Sequence, residues 1–159
     1  MTDTTDPTID QSRFRQVLGY FPTGVTVITA MGEDGSPVGL AVGSFASLSL
    51  DPPLVLFCAS KSSSSWPKIE AAGTFCVNIL SDAQEDVSRA FASKKEDKFE
   101  GVGWRPGHTG APIISDVLAW IDCRVEAVQD GGDHHIVLGR VLELEVAHPG
   151  KPLVFFRGG

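Results

Sequence analysis

The amino-acid sequence predicts a mainly β domain with peripheral helices, in which the strands form a closed or nearly closed antiparallel barrel. Three observations indicate this class. About seven strand-like segments follow one another with hairpin-like links, no repeating strand–helix–strand rhythm is present, and the GxGxxG fingerprint of a Rossmann fold is absent. A closed sheet is the natural arrangement because closure leaves few strand edges unpaired.

The first part of the chain predicts a helix and then a hairpin. Asp10 is a suitable N-cap, and residues 11–21 carry apolar side chains at helical spacing, namely Phe14, Val17, Leu18 and Phe21. Residues 25–30 are rich in β-branched side chains. The Asp-Gly turn within residues 33–36 then returns the chain into a partner strand over residues 37–44.

The middle of the chain predicts a central strand and two short helices. Residues 54–59 are apolar on both faces, as in a strand that is buried within a sheet. The first helix is expected to begin at residues 64–67, with a proline in its first turn, and to end at Gly73. After another strand, residues 81–84 match a capping box, which predicts a helix that runs to about Ala92.

The remainder predicts a loop followed by three strands. Residues 93–116 are first charged and then rich in Gly and Pro, so they are expected to be mostly loop. Two long strands follow over residues 117–128 and 136–146, and a short one over residues 153–156. Alternation along the first long strand places Asp122 on its solvent face.

Composition predicts one globular domain over residues 11–159, preceded by a flexible N-terminus over residues 1–10. The net charge of −7 argues against nucleic acid or an anionic membrane as a partner. The sequence contains neither an apolar run of the roughly 20 residues needed to span a bilayer nor a signal pattern, so a cytoplasmic protein is expected. The three cysteines are far apart and are expected to be buried thiols: Cys58, Cys76 and Cys123.

Two runs of small polar residues are candidate ligand-binding segments. In residues 41–55, Gly43 and the following serines leave room for a flat polar ligand to approach the backbone. In residues 60–65, five serines and Lys61 precede a predicted helix, where N–H groups and hydroxyls attract an anion. The alternatives are an ordinary strand and loop for the first run and a flexible linker for the second.

Two further segments carry groups that are suited to chemistry. The turn at residues 131–135 contains His134 and His135, which predicts a solvated turn, a ligand-orienting histidine or, with further ligands, a metal site. No spacing pattern brings further ligands to this turn, so no metal site is predicted. The segment 94–99 is either a solvated mixed-charge loop or a cover over a negatively charged ligand. No GxSxG nucleophile elbow is present, so hydrolysis has little support.

Taken in order, five segments resemble a known family. They are FPTGVTV (21–27), GSFASLSLDPPLV (43–55), DKF (97–99), GDHHIVLG (132–139) and PLVFFRGG (152–159). Together they are similar to the flavin reductase family with the FMN-binding split barrel, the reductase components of two-component flavin-dependent monooxygenases. Nitrilotriacetate monooxygenase component B and the reductases of aromatic hydroxylases are of this kind. The resemblance covers about residues 12–159.

This resemblance implies a homodimeric split β-barrel of antiparallel Greek-key type. It also implies reduction of FMN, or possibly FAD, by NADH or NADPH, and transfer of the reduced flavin to a separate monooxygenase. Carried over by motif position, the residues implied to bind cofactor are Pro22, Thr23, Gly24, Val25, Ser44, Phe45, Ser47, Ser60, Lys61, Ser62, Ser63, Lys98, Phe99, Phe156 and Arg157. The serines at 60–63 and Lys61 are implied to hold the phosphate region, whereas Lys98 and Phe99 are implied to close over the cofactor.

The resemblance gives His134 the catalytic position, as a group that orients the nicotinamide. One residue departs from the family pattern, because relatives often have Asn where this chain has Gly43. That departure leaves a second hypothesis open, a flavin-binding or haem-binding carrier or sensor without turnover. A third hypothesis is an oxidase of pyridoxamine-phosphate type on the same barrel. The GDH turn and the SLDPP run favour the reductase over this oxidase.

Overall fold

In the computed structural model, which describes residues 6–159, the chain forms eleven strands and three helices. The helices are α1 (Gln11–Leu18), α2 (Trp66–Ala72) and α3 (Glu85–Ala92). The strands are β1 (Thr23–Gly24), β2 (Thr26–Met31), β3 (Pro37–Val42), β4 (Ala46–Ser49), β5 (Leu54–Ser60), β6 (Thr74–Ile79), β7 (Trp104–Pro106), β8 (Pro112–Ile114), β9 (Ala119–Gly131), β10 (His134–Val146) and β11 (Val154–Phe155). Residues 1–10 were predicted to be a flexible N-terminus, and the first five of them lie outside the described residues.

Seven of the strands form one antiparallel sheet in the order β3-β2-β6-β9-β10-β5-β4, which confirms the mainly β class. The two edge strands, β3 and β4, are consecutive in the chain and are separated only by residues 43–45. Because so few residues span at most about 14 Å, the sheet must curl until its two edges are close. No ladder joins β3 to β4 within residues 6–159, so hydrogen bonding does not close the sheet into a barrel.

Buried apolar side chains cover both faces of the middle of this sheet. One cluster contains Ile28, Phe57 and Phe75, whose side chains are completely buried. A second cluster contains Val27 and Cys76, the chain neighbours of residues in the first. Since adjacent residues of a strand point to opposite faces, β2 and β6 are packed on both sides, and the second face is covered by α3 and the segment that follows it.

The segment predicted to be loop, residues 93–116, contains the short hairpin β7–β8. The hairpin is held by long-range contacts rather than by a local turn signal. The buried Asn78 accepts a hydrogen bond from the backbone N–H of Ile114 and donates one to the carbonyl of Val27, so it joins β8 to β2 and β6. Strands of three residues carry too little pattern to be predicted from the sequence alone.

Three local predictions need correction. Helix α1 has the predicted Asp10 cap but ends at Leu18 rather than at residue 21, and its apolar side chains are exposed. Strand β5 is not central, because it lies between β10 and the edge strand β4. The capping box forms only in part: Gln84 accepts a hydrogen bond from the N–H of Ser81, but α3 begins after Gln84.

Asp122 is completely buried, contrary to the predicted solvent face of β9. Its carboxylate accepts hydrogen bonds from the backbone N–H of Thr109 at 2.8 Å and from the Thr109 hydroxyl at 2.6 Å. The loop between β7 and β8 therefore lies over the face that the alternation assigned to solvent.

Burial, together with the nearby Asp122, raises the pKa of the Cys123 thiol to about 12 and also raises that of Cys76. Cys76 and Cys123 are buried as predicted, whereas Cys58 is only half-buried.

Replacement of Asp122 by Ala should lower the free energy of unfolding by about 2–3 kcal/mol, because both donors of Thr109 lose a charged acceptor in a buried place. Urea unfolding of the wild type and the variant measures this difference. Gln129→Ala is the matched control on the exposed end of the same strand, and a change within about 0.5 kcal/mol is expected for it. Equal effects of the two substitutions would contradict the anchoring role of Asp122.

Candidate functional site

A cavity of about 890 Å³ opens between α1, the end of β3 and the C-terminal residues. Its floor is small and apolar where β3 ends, at Ala41, Val42 and Gly43. Thr23 and Val25 continue this floor across from β3. One wall is formed by α1 and the residues that follow it, and the other side by α3 and the C-terminal segment. The volume is within the range of small-molecule sites in proteins, roughly 300–1,000 Å³.

Backbone hydrogen bonds of the C-terminal segment hold this cavity in shape. Strand β11 pairs with β1, so that Thr23 lies opposite Phe155. The N–H of Val25 binds the carbonyl of Leu153, and the N–H of Arg157 binds the carbonyl of Gly19 at 2.9 Å. The segment between α1 and β2 is therefore fixed along its length by the last residues of the chain.

Thr23 and Gly43 face each other in the cavity floor. A Cβ atom built on Gly43 would lie 2.9 Å from the hydroxyl oxygen of Thr23. A side chain at position 43 would therefore displace this hydroxyl. A polar group, the Thr23 hydroxyl, therefore lies beside Gly43 in the floor.

The structure brings the serine run and the histidine turn together at one end of the sheet. His134 lies opposite Ser60 in the ladder between β10 and β5, and the N–H of Lys61 binds the carbonyl of Asp133 at 3.0 Å. The Nδ1 atom of His134 is 2.7 Å from a carboxylate oxygen of Asp133. These residues are about seventy positions apart in the chain, and the antiparallel register places them side by side.

Carboxylates compensate the positive charges of this end. The Lys61 ammonium forms an ion pair with Asp130, and the hydrogen bond from Lys61 lowers the pKa of Asp130. The hydrogen bond from His134 lowers the pKa of Asp133 in the same way. Each carboxylate is thus stabilised in its charged form by the basic side chain beside it.

The hydroxyls of the serine run already have partners. Ser60 and Ser62 hydrogen-bond to each other at 2.8 Å, and the Ser63 hydroxyl accepts from the N–H groups of Ser65 and Trp66 at the start of α2. Ser63, rather than the predicted run as a whole, therefore caps this helix. A ligand at the serine run would have to exchange these hydrogen bonds for its own.

Ser44 connects the two regions. Its hydroxyl accepts a hydrogen bond from the N–H of Cys58 at 2.9 Å and donates one to the carbonyl of the same residue at 3.2 Å. Ser44 follows Gly43 of the cavity floor, and Cys58 precedes Ser60 by two residues. The hydroxyl thus fastens the bend between the two edge strands to β5, in the gap where no strand ladder forms.

Lys98 and Phe99 do not line the cavity, and Lys98 contacts the serine run only at its last residue, Ser65. The Lys98 ammonium donates to the carbonyls of Gly39 and Phe91 and to the hydroxyl of Ser65, and burial lowers the pKa of Lys98. The ring of Phe99 is buried and packs edge-to-face on Phe91, with centroids 4.8 Å apart. In this structure Lys98 joins α3, β3 and the start of α2, and Phe99 belongs to the core.

The other predicted residues do not line the cavity. Pro22, Gly24 and Ser47 are exposed, whereas Phe45 is half-buried against the first core cluster. Phe156 packs edge-to-face on Tyr20, with centroids 6.1 Å apart. Of the residues predicted to bind cofactor, Thr23, Val25 and Arg157 line the cavity itself.

The cavity residues that sequence reasoning missed include Arg15, Tyr20 and Ser88. Arg15 and Tyr20 belong to the segment 11–21, which was predicted only to be helical. Ser88 reaches the cavity only because α3 lies beside β3. The sequence contains no local signal for a contact of this kind.

Across residues 6–159, no three His, Cys, Asp or Glu side chains come close enough to hold a metal ion. Within the same residues, no helix is both long and apolar enough to cross a membrane.

Residues 18–159 match the flavin reductase like domain. The chain belongs to this family. The assignment drawn from the five ordered motifs is thereby confirmed, and the matched residues include every member of the cavity floor and of the histidine turn. Residues 1–17, which include α1 up to Val17, lie outside the match.

Individual relatives agree with this assignment. The chain is 57% identical over 153 residues to the reductase subunit HsaB of a flavin-dependent monooxygenase from Mycobacterium tuberculosis, covering 94% of this chain and 81% of the relative. Nitrilotriacetate monooxygenase component B from Mycobacterium thermoresistibile superimposes with a TM-score of 0.91 and 56% identity, covering 94% of this chain and 84% of that one. The NADH:FAD oxidoreductase SgcE6 of Streptomyces globisporus, solved with NAD and FAD fragments, has a TM-score of 0.89 and 38% identity over 99% of this chain and 94% of that one.

Replacement of Lys98 by Met should lower the free energy of unfolding by about 1–2 kcal/mol, because two carbonyls and one hydroxyl lose a charged donor. Chemical denaturation of the two proteins measures this loss. Lys94→Met, in the exposed part of the same loop, is the control and should change stability little. A Lys98 variant as stable as the wild type would show that its hydrogen bonds do not support the fold.

Proposed function

We propose that the protein is an NAD(P)H:flavin oxidoreductase that supplies reduced FMN, or FAD, to a separate monooxygenase component. The observation that carries this proposal is the cavity at the end of β3, which lies within the segment that matches the flavin reductase like domain. HsaB is named as such a reductase subunit, and SgcE6 was solved with NAD and FAD fragments. The cofactors proposed for this chain follow from these relatives.

The residues of the cavity fit a flavin. Small side chains and Gly43 leave the floor flat, Tyr20 and Phe155 provide aromatic surface, and Thr23 provides a hydroxyl at the edge. A bound flavin supplies the ring system that accepts a hydride from a reduced nicotinamide. No Asp, Glu, His, Lys or Cys lines the cavity. The side chains there are therefore suited to binding and orienting two ring systems rather than to moving protons.

Thr23 and Ser44 are proposed to act in place of the side chain that relatives have at position 43. The Thr23 hydroxyl lies against Gly43 in the floor, and the Ser44 hydroxyl fixes the backbone that follows. The absence of a side chain at position 43 therefore does not favour a carrier without turnover over a reductase. Pro22, Gly24, Val25, Phe45, Ser47 and Phe156 remain proposed neighbours of the flavin by motif position.

Lys98 and Phe99 are proposed to act through positioning rather than as a cover. Lys98 holds the end of α3 against β3, and α3 contributes Ser88 to the cavity. Their hydrogen bonds and packing support this role, since neither side chain is free to reach the cavity in the present arrangement.

The experiment that tests the proposed function mixes the protein with NADH and excess FMN under anaerobic conditions. Catalytic loss of the NADH absorbance with bleaching of the flavin band is expected. Flavin binding without turnover would instead identify a carrier and overturn the proposal. Repeating the assay with FAD and with NADPH identifies the preferred pair.

His134→Ala should raise the KM for NADH by about tenfold, because the imidazole that Asp133 orients is proposed to position the nicotinamide. The Kd for FMN, measured by fluorescence titration, should stay near that of the wild type. His148→Ala is the control, as an exposed histidine distant in sequence from the turn. A loss of FMN affinity as large as the rise in KM would contradict the assigned role.

Charge compensation at the serine run provides a second test. If Ser60, Ser62, Ser63 and Lys61 hold the flavin phosphate, Asp130→Asn should tighten FMN binding by about 2- to 5-fold, because Lys61 would no longer be neutralised. Lys61→Met should weaken FMN binding, and riboflavin, which lacks the phosphate, should be insensitive to both changes. Titration of both flavins with both variants is the measurement. Identical shifts for FMN and riboflavin would place the phosphate elsewhere.

The active assembly is proposed to be a homodimer of split barrels, with residues 11–159 as a single domain. Two observations support a second copy as partner. In the described structure the ladder from β10 to β5 ends at Arg140, and the last backbone bond on that side joins the N–H of Val141 to the carbonyl of Pro53. Leu142, Leu144 and Val146, which follow, are exposed. The apolar side chains of α1 are exposed as well. Apolar surface of this extent is typical of an interface.

The unpaired thiols and the use of NAD(P)H favour the cytoplasm.

Leu144→Glu should shift the protein from dimer to monomer, because a charge would replace an apolar side chain within the proposed interface. Sedimentation velocity over a range of concentrations measures the change. Glu143→Gln, the neighbouring residue, is the control and should leave the dimer intact. A wild type that sediments as a monomer at all concentrations would contradict the assembly.

A further inference from the structure

The cavity carries the opposite charge to the protein as a whole. The chain has a net charge of −7, but two arginines, Arg15 and Arg157, line the cavity and no acidic side chain does. Positive charge concentrated in a concave site attracts anions more strongly than the same charge on an open surface, because the low-dielectric walls focus the field. The cavity is therefore suited to a negatively charged ligand.

The two arginines are fixed on either side of one residue, Gly19. The N–H of Gly19 binds the carbonyl of Arg15, and the carbonyl of Gly19 accepts from the N–H of Arg157, both at 2.9 Å. A Cβ atom on Gly19 would lie 3.0 Å from the carbonyl oxygen of Arg15 and 3.7 Å from the Cα of Arg157. The backbones that carry the two guanidinium groups therefore both contact Gly19, at the junction of α1 and the C-terminal segment.

Arg157 is also held in a particular conformation. Its φ is 54°, a left-handed value that is uncommon for a residue with a side chain. Its guanidinium carbon lies 4.8 Å from the centroid of the Tyr20 ring, in a cation–π contact. The ring orients the guanidinium and leaves its N–H groups available, since an aromatic face does not occupy donors as a carboxylate does.

Neither arginine has an ion-pair partner among residues 6–159. Lys61, in contrast, is neutralised by Asp130. The uncompensated positive charge is therefore in the cavity and not at the serine run. Planar guanidinium groups bind phosphate through two parallel hydrogen bonds, which makes a pair of arginines well suited to this group.

We propose that Arg15 and Arg157 form an anion-binding end of the cavity and hold a phosphate group of a nucleotide ligand. Arg15 is assigned no role by the family motifs, and the proposal gives Arg157 a chemical partner. This proposal rests on the proposed function, because the nucleotide is then either the flavin or the nicotinamide dinucleotide. Both nucleotides present a phosphate to the arginines, and comparison of each with a counterpart that lacks phosphate shows which of the two is bound.

The test compares Arg15→Gln and Arg157→Gln with the wild type in two arms. The flavin arm measures the Kd of FMN and of riboflavin by fluorescence titration without any reductant. The nicotinamide arm measures the KM of NADH and of reduced nicotinamide riboside, which has no phosphate. Each variant should weaken the phosphate-bearing ligand of one arm by about 5- to 30-fold and leave its phosphate-free counterpart unchanged. The affected arm identifies which nucleotide is held.

Arg13→Gln is the matched control, because Arg13 carries the same charge on the same helix but does not line the cavity. Unchanged values for all four ligands, equal losses for ligands with and without phosphate, or equal effects of Arg13→Gln would each overturn the proposal. A wild type without NADH-dependent turnover would refute the proposed function instead, and the flavin arm would then decide the phosphate site by itself.

Discussion

The cavity depends on the backbone hydrogen bonds between the last nine residues and two earlier segments of the chain. Lys151 accepts from the N–H of Asp82, Leu153 bridges the carbonyl of Leu80 and the N–H of Val25, and Arg157 donates to Gly19. These bonds need no particular side chains, so residues 152–159 can provide them and still direct Phe155 and Arg157 to the cavity. Without them, the segment between α1 and β2 would have no partner on its outer side.

Electrostatics divides the candidate site into two kinds of region. At the serine run and the histidine turn, the Lys61 ammonium and the His134 ring each have a carboxylate beside them, and the pKa values of Asp130 and Asp133 are lowered accordingly. In the cavity the Arg157 guanidinium has the ring of Tyr20 as its neighbour instead. At the serine run and the histidine turn, the basic groups are paired with carboxylates before a ligand binds. In the cavity, the arginines gain a negatively charged partner only when a ligand binds. This difference is not visible in the composition of either segment, since both contain a basic residue near serines or glycines.

Much of the fold could be predicted from the sequence, because most of its strands are long and bounded by turn signals. The hairpin at residues 33–36, the stop at Gly73 and the two long strands are examples. Predictions were wrong where burial is set by distant residues. The side chain of Asp122 is covered by the loop between β7 and β8, whose Thr109 donates to its carboxylate.

The candidate site shows the same division. Ordered motifs identified Thr23, Val25 and Arg157 together with the histidine turn, since these lie in segments with a recognisable pattern. Arg15 and Ser88 were missed because each reaches the cavity from a helix whose placement is a tertiary property. Lys98 was assigned to the ligand on its charge, but three acceptors within the protein surround its ammonium group. A lysine in a motif can thus serve the scaffold that presents the site.

Helix α1 forms one wall of the cavity without burying any of its own side chains. The residues that follow it make the contacts with the C-terminal segment, since Gly19 accepts a hydrogen bond from the N–H of Arg157 and Tyr20 packs on Phe156. Few buried apolar contacts are typical of a segment with low local stability, whereas the sheet behind α1 is packed on both faces. The wall that is least firmly packed is thus also the wall that carries one of the two arginines, Arg15.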